Sequence, residues 1–222
     1  MAVGVDSKLQ VGPFPGSSFT DQSFTVGSNS NRVLIAILET GALTTVSSLS
    51  YGGSAMTLMF SDSVTGDVQN VQHFAYYLLA PSTGANNFVI SASGTQDVYC
   101  NAYSLYDAVQ SAPASNKSAQ GTTTETASLT AVANDYGIGV AISGFTKPTG
   151  YSLSGDASSN QLGLNQWFTG DTNGGVSAGT RTAVSNYTSG GSSVQAGLIL
   201  VSEAAAATTT VVTPRLLTLR VG

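Results

Sequence analysis

Charge is what this chain lacks most. Lys, Arg, Asp and Glu together make up 9% of its 222 residues, and there is one His (His73), one Cys (Cys100) and one Trp (Trp167). Each shortage excludes something. A single Cys forms no internal disulfide, so no covalent staple closes the fold. One His and one Cys do not make a zinc site. A Ser or Cys hydrolase would have to take its base from His73. That residue falls in a strand-like stretch between Gln72 and Phe74, the placing of a half-buried structural imidazole. The segment Gly150-Tyr151-Ser152-Leu153-Ser154 lacks the last Gly of a nucleophile elbow. The acids are dispersed, most of them beside turn residues, and do not suggest the facing carboxylates of glycoside hydrolysis. No Gly-rich stretch carries the Lys-Ser/Thr of a phosphate loop. Asp171-Thr172-Asn173-Gly174, with Asp156 nearby, has the opening of a calcium loop without its remaining ligands, and reads as a turn. No catalytic, cofactor-binding or metal-ligating residue is assigned, and the chain is expected not to be an enzyme.

The charge that is present is acidic, with a net of −5. The seven basic residues are scattered: Lys8, Arg32, Lys117, Lys147, Arg181, Arg215 and Arg220. Nucleic-acid binding, which asks for a basic face, is not expected. No apolar run approaches the ~20 residues that cross a bilayer, and the N-terminus has no basic region leading into an apolar one, so neither membrane span nor signal peptide is expected. Cys100, with no basic neighbour in sequence, reads as a small buried hydrophobe.

What the chain does have is short apolar bursts separated by Gly, Ser, Thr and Asn. Residues 32–39 form a continuous apolar run between polar stops, the mark of a central strand covered on both faces. Residues 69–79 alternate, with Val71, His73, Ala75, Tyr77 and Leu79 on one face and Gln72, Phe74, Tyr76 and Leu78 on the other. Residues 19–26, 87–93, 97–106, 126–132, 136–143, 177–187 and 194–203 read as further strands. Gly52-Gly53 between two short apolar stretches predicts a tight hairpin, because Gly accepts the positive φ such turns need. Gly137 and Gly139 mark a bulge or close packing. Residues 3–16, with Pro13 and Pro15, are expected to be extended and irregular. Residues 110–125 read as a long connection, and residues 147–175 as loop-rich.

These signals predict an all-β, antiparallel sandwich, jelly-roll-like, of about ten strands. No repeat of fixed period shows. Residues 1–18 form an N-terminal extended segment, residues 19–204 the sandwich, and residues 205–222 a C-terminal segment. That last segment is β-prone and basic, and two readings stand for it: an arm, or a final strand of the sheet.

Four segments, in order, resemble a known family: Asn31-Arg32-Val33-Leu34-Ile35, then residues 46–58 (VSSLSYGGSAMTL), 76–81 (YYLLAP) and 102–113 (AYSLYDAVQSAP), with residues 195–204 (QAGLILVSEA) closing the body. The order is similar to that of β-sandwich domains in tailed-phage structural proteins and some bacterial surface proteins. The resemblance spans roughly residues 19–204 and implies no catalytic residues. It implies a virion component, a head decoration (cement) protein bound to the major capsid protein or another virion protein. It further implies a homo-oligomer, taken as a trimer from the class of protein. The residues expected at the partner contact are Val11 and Phe14 near the N-terminus and Val211, Val212, Arg215, Leu216, Leu217, Leu219 and Arg220 near the C-terminus. The alternative is a glycan- or receptor-binding module of a tail fibre or cell surface, with Tyr151 and Trp167 exposed as a sugar platform.

Overall fold

A computed structural model describes residues 2–14, 18–41, 44–64, 71–94, 98–143, 150–153, 160–162, 167–186 and 193–205. Seventeen strands and no helix lie among them, so none is long and apolar enough to cross a membrane. The first nine strands are β1 (Gly4–Phe14), β2 (Ser18–Val26), β3 (Val33–Gly41), β4 (Thr45–Tyr51), β5 (Ser54–Ala55), β6 (Thr57–Val64), β7 (Val71–Leu79), β8 (Gly84–Ser93) and β9 (Val98–Tyr106). The next eight are β10 (Ala114–Lys117), β11 (Thr124–Ala131), β12 (Tyr136–Ser143), β13 (Gly150–Leu153), β14 (Asn160–Leu162), β15 (Trp167–Asp171), β16 (Gly179–Asn186) and β17 (Val194–Val201).

The strands build four sheets. β1-β9-β3-β7-β6 and β2-β8-β4-β5 come from the first half of the chain, β10-β17-β12-β15-β14 and β11-β16-β13 from the second. The strand pairings among the described residues are antiparallel. In the first half the opening and closing strands, β1 and β9, lie side by side. The chain passes back and forth between the two sheets, and this is the double Greek key of a jelly roll.

Three cores fix the stacking order. Leu34, Ala36 and Leu38 of β3 meet Phe24, Leu49, Tyr51, Phe88 and Ile90 of the small sheet. The alternate residues Val33, Ile35 and Ile37 meet Tyr136, Ile138, Val140, Ile142, Ile199 and Val201 of the second five-stranded sheet. The far face of that sheet, with Ala196, Leu198 and Leu200, meets Ala127, Ala131, Leu153 and Ala183. The molecule is thus four layers deep: outer, inner, inner, outer. The unbroken apolar run of β3 follows directly. A strand buried on both faces has no solvent side to make polar, and its residues from Val33 to Thr40 are all buried. Each such fully buried aliphatic side chain contributes about 1.5–3 kcal/mol.

The two halves are copies of one plan. Matching β1–β4 to β10–β13, β6 to β14, β7 to β15, β8 to β16 and β9 to β17 turns the first five-stranded order into the second, and β2-β8-β4 into β11-β16-β13. The sequence carries the trace. Asn31 and Asn134 precede β3 and β12 at φ 52° and 71°, and Gly84 and Gly179 open β8 and β16 at positive φ. Ser48-Leu49-Ser50 matches Ser152-Leu153-Ser154, and Gln72-His73-Phe74 matches Gln166-Trp167-Phe168. The inner sheets meet with opposite edges apposed: β1 and β9 lie against β15, and β6 against β10 and β17. Two like units meeting by the same face in this way make an isologous contact within one chain.

The all-β antiparallel sandwich matches the expectation, and its details correct it. Seventeen strands lie among the described residues, where about ten were expected. A repeat exists although no fixed period shows, because the stretch between the β4 hairpin and the Gln-x-Phe motif is shorter in the second copy and shifts the spacing. Residues 4–14 are not irregular but form an edge strand paired with β9 from Gly4↔Tyr106 to Phe14↔Val98, with two register shifts that absorb its irregularity. Residues 110–125 hold β10, and the region 147–175, expected to be loop-rich, holds β13, β14 and β15. At Gly137 the close-packing reading applies, since a Cβ there would stand 2.8 Å from Thr172 Cγ2.

Candidate functional site

Two ion pairs lie in the seam between the two inner sheets. Lys8 leaves the first strand of the first lobe and donates to both oxygens of Asp171 in the second, at 3.2 and 3.0 Å. Asp171 is fully buried and also accepts from Tyr136 Oη at 2.7 Å and from the Asn173 N–H at 2.8 Å. Its charge is answered from within the protein. The turn reading of residues 171–174 fits this, because the carboxylate that would open a calcium loop is committed to a lysine. Beside it Asn101 Nδ2 donates to Thr169 Oγ1 at 2.9 Å, and Tyr103 shares a hydrogen bond with the same hydroxyl. Burial pushes the Tyr103 phenol up, so it stays protonated.

The other end of the seam answers in kind. Lys117, from the first strand of the second lobe, pairs with Asp62 of β6 and donates to the Ser61 carbonyl at 3.2 Å. Gln195 Nε2 reaches Asp62 Oδ2 at 2.9 Å and the Ser118 carbonyl at 2.7 Å, and the Ser63 N–H reaches Asp62 Oδ1 at 2.9 Å. Burial raises the Asp62 carboxyl. The hydrogen bonds from Lys117, Gln195 and Ser63, with the Lys117 charge, outweigh it and hold the group at about 2. Each lobe therefore sends the lysine of its first strand across to an acid of the other.

A row of side chains runs from this second patch across the first inner sheet. The registers Tyr99↔Glu39, Glu39↔His73 and His73↔Asp62 place the four residues abreast on β9, β3, β7 and β6. His73, expected to be half-buried, is fully buried and packs edge-on against Phe60 at 6.0 Å. Burial drives its imidazole down to about 4, the Lys117 charge adds to that, and the Asp62 charge opposes it. Cys100 faces the opposite core, where burial pushes its thiol up and keeps it protonated and inert. Among the described residues no group of three or more His, Cys, Asp or Glu is disposed to hold a metal ion.

The two outermost faces have the contrary character. Ser128 and Thr182 share a hydrogen bond at 2.9 Å on the second outer sheet, where Thr124, Thr126, Thr130 and Thr180 are also exposed. The first outer sheet exposes Ser23, Thr25, Thr45, Asn87 and Ser91. No charged side chain points outward from either sheet among the described ones.

The residues singled out from sequence for binding are not gathered into one site. Val11 and Phe14 lie in β1, opposite Cys100 and Val98; Tyr151 lies in β13 opposite Ser185, and Trp167 in β15 opposite Ile142. Their side chains fall outside the described part. Val211, Val212, Arg215, Leu216, Leu217, Leu219 and Arg220 lie outside the described residues altogether. Sequence reasoning passed over Glu39, Asp62, Lys117 and Gln195. The usable signal was Glu39 itself, an acid inside the most buried strand of the chain. Comparison with known protein families, characterised proteins and solved structures finds no match for the chain.

Proposed function

We propose that this chain is a non-enzymatic structural protein of a virion, a head decoration protein that stabilises a capsid by contact with the major capsid protein. It works as a homo-oligomer, taken as a trimer. The observation that carries the reading is the disposition of its ionisable groups. Both described ion pairs and the sole His lie in the seam between the lobes, where they hold the molecule together. Among the described residues, the two outermost sheet faces expose Ser, Thr and Asn and no outward charge. The jelly roll itself is an architecture that viral capsid proteins and lectins share, and it does not assign the task alone. The β-prone, basic sequence of residues 205–222 suits an arm that orders on a partner, burying much area per residue at an entropic cost.

The test is co-sedimentation of the purified protein with capsids that lack it. Saturable binding is expected, and lower occupancy when residues 208–222 are deleted. Failure of the full chain to bind removes the proposal; unchanged occupancy of the truncated chain removes the role of the C-terminal segment alone.

The same outer faces favour a second reading, a glycan- or receptor-binding module. Uncharged rows of Ser and Thr hydroxyls suit a neutral, hydroxyl-rich ligand. Binding to a glycan panel by a chain that ignores capsids would move the assignment there.

A further inference from the structure

The internal repeat offers a control for every residue of the seam. Glu39 stands opposite His73 in the first lobe, and the corresponding pair in the second lobe is Ile142 opposite Trp167. Tyr99 on the other side of Glu39 corresponds to Gln195 beside Ile142. The same plan is thus built with an apolar residue where the first lobe buries an acid, so the fold does not require Glu39. A buried carboxyl facing a buried imidazole is a local cost that an isoleucine would avoid, and such departures mark functional positions.

We propose that Glu39 and His73 form a proton-sharing pair that makes the contact between the two lobes depend on pH. Register partners on one sheet face have Cβ atoms about 4.5–5.5 Å apart, within reach of a carboxyl and an imidazole. His73 Nδ1 is buried without a hydrogen-bond partner, an acceptor ready for a carboxylic proton. The groups facing the pair are Tyr99 from β9 and Asp62 from β6 on its own sheet. From the other lobe, Gln195 of β17 and Lys117 of β10 meet Asp62 at the end of the row.

The signs run as follows. Burial lifts the Glu39 carboxyl well above its usual 4.5, so the folded protein keeps this proton where the unfolded chain releases it. Its contribution is complete below 4.5 and is lost as pH rises through the lifted value. His73 is lowered from 6.5 to about 4, so its contribution is complete above 6.5 and lost as pH falls toward 4. Above 4.5 and below 6.5 the two slopes oppose each other. His73 loosens the lobes as pH falls toward 4, and Glu39 loosens them as pH rises through its lifted value.

The test is the denaturation midpoint of the full chain across this range. Wild type, in which the two slopes offset each other, should be flatter between about pH 4.5 and 6.5 than either variant. Glu39→Ile, the second lobe's own residue, should gain stability as pH rises from about 4 to 6.5 and hold it above. His73→Gln should instead lose stability steadily as pH rises. Glu39→Gln serves if the isoleucine variant does not fold. A wild-type profile shared by Glu39→Ile or Glu39→Gln, or by His73→Gln, overturns the proposal.

Discussion

Tyr51 shows how a single residue ties the first lobe together. It is fully buried, its ring lies 5.1 Å from Phe88 and 6.4 Å from Phe24, and its hydroxyl donates to the carbonyls of Phe24 at 2.7 Å and Gly84 at 3.1 Å. One side chain thus joins β4 to β2 and to the start of β8. Tyr51→Phe keeps the ring and removes both hydroxyl hydrogen bonds, so it should cost about 1–2 kcal/mol, read as a lower urea midpoint at unchanged slope. At this scale the sequence was partly legible. Gly52 and Gly53 marked the hairpin that follows Tyr51 and do take positive φ, at 54° and 80°. The role of Tyr51 was not legible, because a hydroxyl that bridges two other strands leaves no mark on its own neighbours in sequence. Nor was Glu39 separable from a polar stop until its register against His73 placed it inside the seam.

Elements were legible in proportion to how they are buried. β3, β7, β9, β12 and β17 announced themselves, since a strand covered on both faces or alternating between two cores must carry that pattern in its side chains. β10 and β14 did not. They are short and lie at or near sheet edges, and Ala114-Ser115-Asn116-Lys117 has no apolar face to read. The segment holding β1 was expected to be extended and irregular because of Pro13 and Pro15, yet an edge strand accepts Pro where its N–H would face outward. The distinction is measurable. Deleting residues 2–14 strips the pairing partner of β9, empties the place of the buried Val3 and leaves Asp171 without its cation. It should lower the stability of the remaining chain by about 3–5 kcal/mol or more, the scale for orphaning a buried charge. A dispensable arm would leave the melting temperature where it was.

The whole molecule is two jelly rolls that share a core. Ile35, Ile37 and Tyr103 from the first lobe and Ile138, Val140 and Ile199 from the second belong to one cluster, and neither lobe covers its own inner face. Heating should therefore give one cooperative transition, with calorimetric and van't Hoff enthalpies equal; two resolved transitions would show lobes that fold apart. The class of fold could be read from strand patterns, whereas the duplication could not. It survives in strand order, in left-handed Asn and Gly positions and in a few short motifs, all of which tolerate the change in loop length that destroys a period. The proposed function rests on this same contrast between the ion pairs of the seam and outer faces that carry no outward charge among the described residues, and imaging tests it most directly. Capsids lacking the protein are mixed with the purified chain and examined by cryo-electron microscopy. Added density at the symmetry positions of the shell, large enough for the four-layered body, is the predicted result. Bare shells, or density confined to the tail, would contradict the account.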